Sequence, residues 1–182
     1  MSAPVVVYAA VAALAAVIWL GGLDKLRRFA DFRAAVEAYR LLPDGLAGVF
    51  AALFVCIEVA AGALLLFDAG RIAGAVVAIL AVGIASAAVA VNLLRGYTNI
   101  DCGCGGLSRF SPGLSWWMVV RNIGLLLLAF VVVLGADRPA ASMMWLDRIT
   151  LAGLAIALVG FYYLANQLID LHLRVRKLRS QT

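Results

Sequence analysis

A bundle of membrane-spanning helices is the fold class this sequence predicts, and three observations predict it. The mean hydropathy is +1.04 and only 14% of residues are charged, so 182 residues cannot clothe a water-soluble core in a polar skin. The apolar residues gather in runs of about 20, the length a helix needs to cross the hydrocarbon core. None of these runs alternates with the period of two that marks a barrel strand. The prediction is an all-α, polytopic protein of about five transmembrane helices with one interfacial amphipathic helix, folded as a single integral membrane domain over residues 1–182.

The first run covers residues 5–23. Its leading segment, MSAPVVVYAA, carries no Lys or Arg and so lacks the charged start of a cleaved signal peptide; the run is expected to persist as a span. Residues 24–40, DKLRRFADFRAAVEAYR, are too charged to cross a bilayer, yet Leu26, Phe29, Phe32, Val36 and Tyr39 recur at helical spacing. That pattern predicts a helix lying in the headgroup layer, its aromatics sunk into the acyl boundary and its arginines near anionic lipid. It reads as an orienting anchor more simply than as a partner-docking surface. Pro43 cannot continue a helix and marks its end. Further runs cover residues 46–67, 72–94, 114–135 and 149–169. A polar loop, 95–113, separates the third from the fourth, and a basic tail, 170–182, follows the last. The tail, LHLRVRKLRSQT, reads as a cytoplasmic anchor rather than a nucleic-acid-binding element.

Orientation follows from the cations, because Lys and Arg in short loops are retained on the cytoplasmic side. Threading five spans puts eleven of the fifteen on the side that holds residues 24–40, the 95–113 loop and the tail. Only Arg71, Arg138 and Arg148 fall opposite, and Arg121 lies within a span. The expectation is a multi-pass protein of the bacterial inner membrane, N-terminus outside and C-terminus cytoplasmic.

The loop contains NIDCGCGGLSRF, residues 99–110, with Cys102 and Cys104 one residue apart. A disulfide wants its Cα atoms roughly 5.5–6 Å apart, which this spacing meets only in a bent backbone. Gly103 supplies the freedom to bend, and a strained bridge is easily reduced, as regulatory and catalytic bridges are. Beyond the pair, Gly105 and Gly106 leave amide N–H groups free to converge on a thiolate and lower its pKa, while Asp101 opposes this with a negative charge. A plain tight turn is one alternative. Metal binding is another, although a zinc site needs about four ligands, and only Cys102, Cys104, Asp101 and the distant His172 offer themselves. Two thiolates alone suit Cu(I) better. The redox pair is the favoured reading, with no metal.

Inside the spans, Glu58 is the sharpest single-residue signal, since an ionised carboxylate at such depth is costly and commonly marks a working site. Arg121 and Asn122 near the start of the fourth run, and Asn92 near the end of the third, lie closer to the loop's side. Two readings of Glu58 are open: a salt bridge with Arg121 that ties the second and fourth spans, or a proton-handling acid beneath the thiol loop. Cys56, two residues earlier, points to a different face and reads as a small packing residue. Gly62, Gly74 and Gly83 fit close helix contacts.

The ordered combination of Lys25, Phe29, YRLLP at 39–43, Glu58 with Gly62, RGYTNIDCGCGG at 95–106 and Arg121-Asn122 resembles the MauE family of methylamine-utilisation proteins, within the broader DoxX-like group. The resemblance covers about two thirds of the chain. It implies an integral membrane protein that helps mature methylamine dehydrogenase, whose small subunit is rich in disulfides, alongside a thioredoxin-like partner. By motif match, Cys102 and Cys104 would be the redox pair and Glu58 the span acid. Two departures stand out: Gly105 replaces a frequent phenylalanine, and Val55 and Cys56 occupy positions where a proline often precedes the acid.

These readings converge on a membrane redox-maturation protein that uses the Cys-Gly-Cys dithiol on another protein. An enzyme alternative is a thiol oxidoreductase coupled to a quinone, the one cofactor such chemistry suggests. A non-enzymatic alternative is a scaffold subunit of a larger membrane redox complex. Expected partners are the lipid bilayer and a thioredoxin-like or client protein, with no nucleic acid.

Overall fold

The computed structural model describes residues 3–43, 45–98, 100, 113–135 and 145–179. Among them the chain forms α1 (Ala3–Arg27), α2 (Phe29–Ala38), α3 (Ala47–Leu65), α4 (Arg71–Leu94), α5 (Trp116–Leu134) and α6 (Trp145–Arg179), with a 3-10 turn at Asp68–Gly70. All but α2 are long and apolar enough to cross a membrane. The five apolar runs therefore become five candidate spans. The last helix runs on to Arg179, so the basic segment after residue 170 continues α6 rather than following it as a separate tail.

The alanine-rich α1 occupies the centre. α1 packs on α3, α5 and α6, and Ala9, Ala10, Ala13 and Ala15 let those neighbours approach a backbone that carries little bulk. In the most apolar stretch of α1, 61% of residues are buried, against 0% in that of α6, so α6 is a peripheral helix. Its exposed Ile149, Ile156, Phe161, Leu164 and Leu168 suit hydrocarbon and not water. A β-carbon on Gly62 would lie 3.0 Å from Trp19 Cβ, and one on Gly74 would lie 2.8 Å from the backbone N of Leu65. Both glycines sit at the close helix contacts expected of them. Gly83 does not: a β-carbon there would meet nothing within 4 Å, because this face of α4 turns away from the bundle.

α2 follows α1 after a break at Arg28, which leaves the helical conformation with φ −114° and ψ 42° while the hydrogen bonds around it persist. Arg33 and Glu37 pair on its outer side at 2.8 Å. Its apolar side is covered from within the chain: Phe32 joins Ala51, Phe54, Val55 and Ala81 in one cluster, with the Phe32 and Phe54 ring centroids 5.9 Å apart. The aromatics that pattern alone would place in lipid are thus largely taken up by α3 and α4. The chain then turns through Arg40, at φ +48°, and Gly45, at φ +88°.

The end of α4 and the start of α5 are held together. Leu114 N donates to Thr98 O at 2.7 Å, and Leu114 and Met118 pack with Val89 and Tyr39. The polar loop accordingly leaves and rejoins the bundle at one place, beside the end of α2.

Candidate functional site

Glu58 points inward because it shares a helical stripe with Phe54, Ala61, Gly62 and Leu65, all buried. Across from it, Gly22 brings α1 close: a β-carbon there would lie 3.4 Å from Glu58 Cβ and 3.0 Å from Val59 Cγ2. One turn later, Lys25 extends its ammonium to both carboxylate oxygens, at 2.7 Å from Oε1 and 2.6 Å from Oε2. The two residues are 8% and 6% exposed, so the pair is buried within the bundle. Lys25 Nζ also stands 5.7 Å from the Phe32 ring centroid and 5.6 Å from that of Phe54, within cation–π range. A charge that would be costly alone in a bilayer is here neutralised, hydrogen-bonded and enclosed by aromatic faces.

This geometry answers one question that sequence left open. Where one of the two sequence readings paired Glu58 with Arg121, Lys25 forms a salt bridge to Glu58, and the bridge ties α1 to α3. The clue available in the sequence was helical register, since Lys25 lies one turn beyond the small Gly22 that faces Glu58.

Arg121 and Asn122 form a second polar group. Arg121 Nη2 and Nε donate to Asn122 Oδ1 at 3.0 and 3.3 Å, Nη1 donates to Asn166 Oδ1 on α6, and the guanidinium lies 5.5 Å from the Tyr162 ring centroid. Asn122 Nδ2 donates to Ser86 Oγ on α4 at 3.0 Å, and that hydroxyl donates to Val82 O at 2.6 Å. The group links α4, α5 and α6; Ser86, Tyr162 and Asn166 are members that sequence reasoning missed, since single polar residues on three separate helices carry no motif. Asn92, wholly buried in the last turn of α4, donates to Ala88 O at 3.0 Å, while its Oδ1 has no hydrogen-bond partner among the described residues.

Cys102 and Cys104, with Asp101, Gly103 and Gly105, lie outside the described residues. Cys56 does not fill the interior packing role expected of it: it is a free thiol exposed on the outer face of α3, away from Glu58.

The chain matches the family described as "Methylamine utilisation protein MauE" over residues 3–135. It is similar to the methylamine utilization protein MauE of Paracoccus denitrificans, 36% identical over 138 residues covering 76% of this chain and 73% of that protein. Its counterpart in Paracoccus versutus is 34% identical over 76% of this chain and 75% of the relative. That of Methylophilus methylotrophus is 38% identical over 62% and 59%. No solved structure matches the chain. The matched region contains both halves of the Lys25–Glu58 pair and the cysteine loop with its two anchoring ends, and on that extent of likeness this multi-pass membrane protein belongs to the MauE family.

Proposed function

We propose that this chain is a membrane redox-maturation protein in which Cys102 and Cys104 cycle between dithiol and disulfide, acting with a thioredoxin-like partner on a client protein of methylamine utilisation. The observation that carries the reading is the buried Lys25–Glu58 pair, set in the same end of the bundle that anchors the cysteine loop. Structural needs do not call for a charge pair here, because an apolar pair of similar volume would serve a membrane core at least as well. A carboxylate and an ammonium in contact offer a proton acceptor and a donor, which thiol–disulfide exchange uses when a thiol becomes a thiolate and the leaving sulfur is reprotonated. In this reading Glu58 and Lys25 move protons, the two sulfurs carry the electrons, and the Arg121 group holds α4, α5 and α6 in place around them.

By the cation count the loop faces the cytoplasm and the N-terminus lies outside, in a bacterial inner membrane. In that compartment an exposed bridge is opened by the thiol pool, so the pair rests reduced and is oxidised during work. The test has two parts. A Paracoccus denitrificans strain lacking its own MauE should grow on methylamine when given this chain, and should fail to grow when given the Cys102→Ser/Cys104→Ser variant. Mass-tagged alkylation with and without reductant should show Cys102 and Cys104 changing state and Cys56 constant. Growth supported by the double serine variant would end the redox reading. A membrane-impermeant maleimide should label the loop cysteines in inside-out vesicles and not in intact cells; the reverse would overturn the orientation.

A further inference from the structure

A cavity of about 360 Å³ opens directly beside the ion pair, within the roughly 300–1,000 Å³ range of small-molecule sites. Lys25 lines it, together with Phe32, Phe50, Phe54, Tyr39 and Val89. It extends from the Lys25 level of the bundle toward Tyr39 and Val89, which also seat the feet of the polar loop. On the side between α2 and α4 it is bordered by Leu41, Ile84 and Val91, all exposed at the surface that faces lipid. The cavity therefore communicates with the acyl region along one edge and with the loop's anchorage at one end.

Three features define what fits. Part of the wall is aromatic, with Phe50 and Phe54 stacked at 5.7 Å and Phe32 tilted against Phe54, and the rest is aliphatic, including Ala85 and Ala88 of α4; rings beside small aliphatic groups suit a flat conjugated ligand. The polar contact at the inner end is an ammonium, which has three N–H donors and directs two at the oxygens of Glu58. Because Glu58 already neutralises Lys25, an anionic ligand would leave an uncompensated charge in the bilayer, whereas a neutral ligand with an acceptor oxygen would not. A lipid tail offers no such oxygen. We propose that this cavity binds the head ring of a membrane quinone, a ring carbonyl accepting from Lys25 and the isoprenoid tail leaving between α2 and α4.

The proposal rests on the dithiol reading for its electron source. Oxidation of Cys102 and Cys104 breaks two S–H bonds and forms one S–S bond; the two electrons and two protons reduce the quinone to hydroquinone, each carbonyl oxygen ending as a hydroxyl. The ammonium stabilises the negative charge that grows on the carbonyl oxygen as electrons arrive. Lys25 touches the quinone and is its catalytic residue, while Glu58 is a positioning residue that acts through Lys25, holding the ammonium and exchanging its proton.

Binding is measured on the full chain in phosphatidylcholine nanodiscs, by titration calorimetry with decylubiquinone and by photolabelling with an azido-benzoquinone followed by peptide mapping. Ala85→Leu and Ala88→Leu fill the cavity without touching the ion pair and should each weaken binding by about tenfold or more, the effect of roughly one lost site contact. Lys25→Met/Glu58→Leu, which removes the pair without stranding a charge, should weaken it about fivefold or more by loss of the donor. Glu58→Gln keeps a polar neighbour for Lys25 and should change affinity little while shifting the pH profile of quinone reduction, a response that a purely structural role would not give. Cys102→Ser/Cys104→Ser should bind as tightly as the native chain, so binding and thiol chemistry are read separately. If the native chain binds quinone in this cavity while the serine variant still supports growth, the cavity stands and the dithiol reading falls. Unchanged affinity in the filled variants, labelling of α5 and α6 in place of α2, α3 and α4, or no heat beyond partition into lipid would overturn the proposal.

Discussion

Among the described residues, the polar groups at Lys25 and at Arg121 hold a cation within the bundle in different ways. At Lys25 a carboxylate meets the charge directly, at 2.6 and 2.7 Å, and two phenylalanine rings face the ammonium. At Arg121 the guanidinium is held by the amide oxygens of Asn122 and Asn166 and by the face of Tyr162, and Asn122 passes the connection on to Ser86. The first arrangement joins two helices at one point; the second spreads over three. A distributed amide network suits a joint, since several weak bonds share the holding. A compact ion pair suits chemistry, since a single proton transfer changes its charge state. Both groups border cavities, but the one beside Arg121, about 940 Å³ between α1, α5 and α6, is the wide gap left by the peripheral α6. The pair at Lys25 borders a smaller space lined in part by aromatic rings.

If the two groups differ in this way, breaking one half of each should have unequal effects. Glu58→Leu leaves a buried ammonium without its carboxylate, and removing one partner of a buried pair typically costs about 3–5 kcal/mol. Thermal unfolding in detergent should show a large loss, with Lys25→Met/Glu58→Leu recovering most of the stability and none of the growth on methylamine. Recovery of growth would mean that the pair is structural. Glu58→Gln should fold well and support slower growth on methylamine, because the amide can accept from Lys25 but cannot take a proton.

The close contacts rank next. Gly74 faces the backbone of Leu65 and Ala61 across the α3–α4 interface, where no side chain can move aside. Gly74→Val should therefore lower stability by about 1–3 kcal/mol, the usual cost of forcing extra atoms into a packed core. Asn122→Ala, which detaches α5 from Ser86, should cost less, about 0.6 kcal/mol, the average for hydrogen bonds between membrane helices. The same unfolding measurement orders the three, and an Asn122 effect as large as that of Glu58 would erase the distinction between joint and pair.

The parts of this fold that sequence reveals are those set by one-dimensional pattern. Run length alone locates five spans, because hydrocarbon admits only a helix with its backbone hydrogen bonds satisfied internally. Helical spacing similarly marks α2 as amphipathic, and depth marks Glu58 as exceptional. What pattern does not contain is which helix faces which. Lys25 lies in a stretch that reads as interfacial, and only the close approach allowed by Gly22 carries it inward to Glu58. The apolar side of α2 has the same ambiguity, since Phe32 against lipid and Phe32 against Phe54 satisfy one periodicity. Cys56 shows the limit from the other direction: an apolar helix in a bilayer has no polar face to betray which residues turn outward.

Gly83 carries that last ambiguity into a measurable, small effect. Like Gly62 and Gly74 it stands in an apolar span, and sequence gives it the same role of admitting a neighbouring helix. Its surroundings are empty to 4 Å, so a methyl group added there meets lipid and displaces nothing in the protein. In a helix interior alanine is favoured over glycine by about 0.8–1.0 kcal/mol, because glycine has more conformational freedom to lose on folding. Gly83→Ala should therefore leave growth unchanged and hold or slightly raise the unfolding temperature, whereas Gly62→Ala, pressed against Trp19 at 3.0 Å, should lower it. A loss of stability in Gly83→Ala comparable to that in Gly62→Ala would show that a helix packs on this face of α4, contributed by a second copy or a partner protein in the membrane.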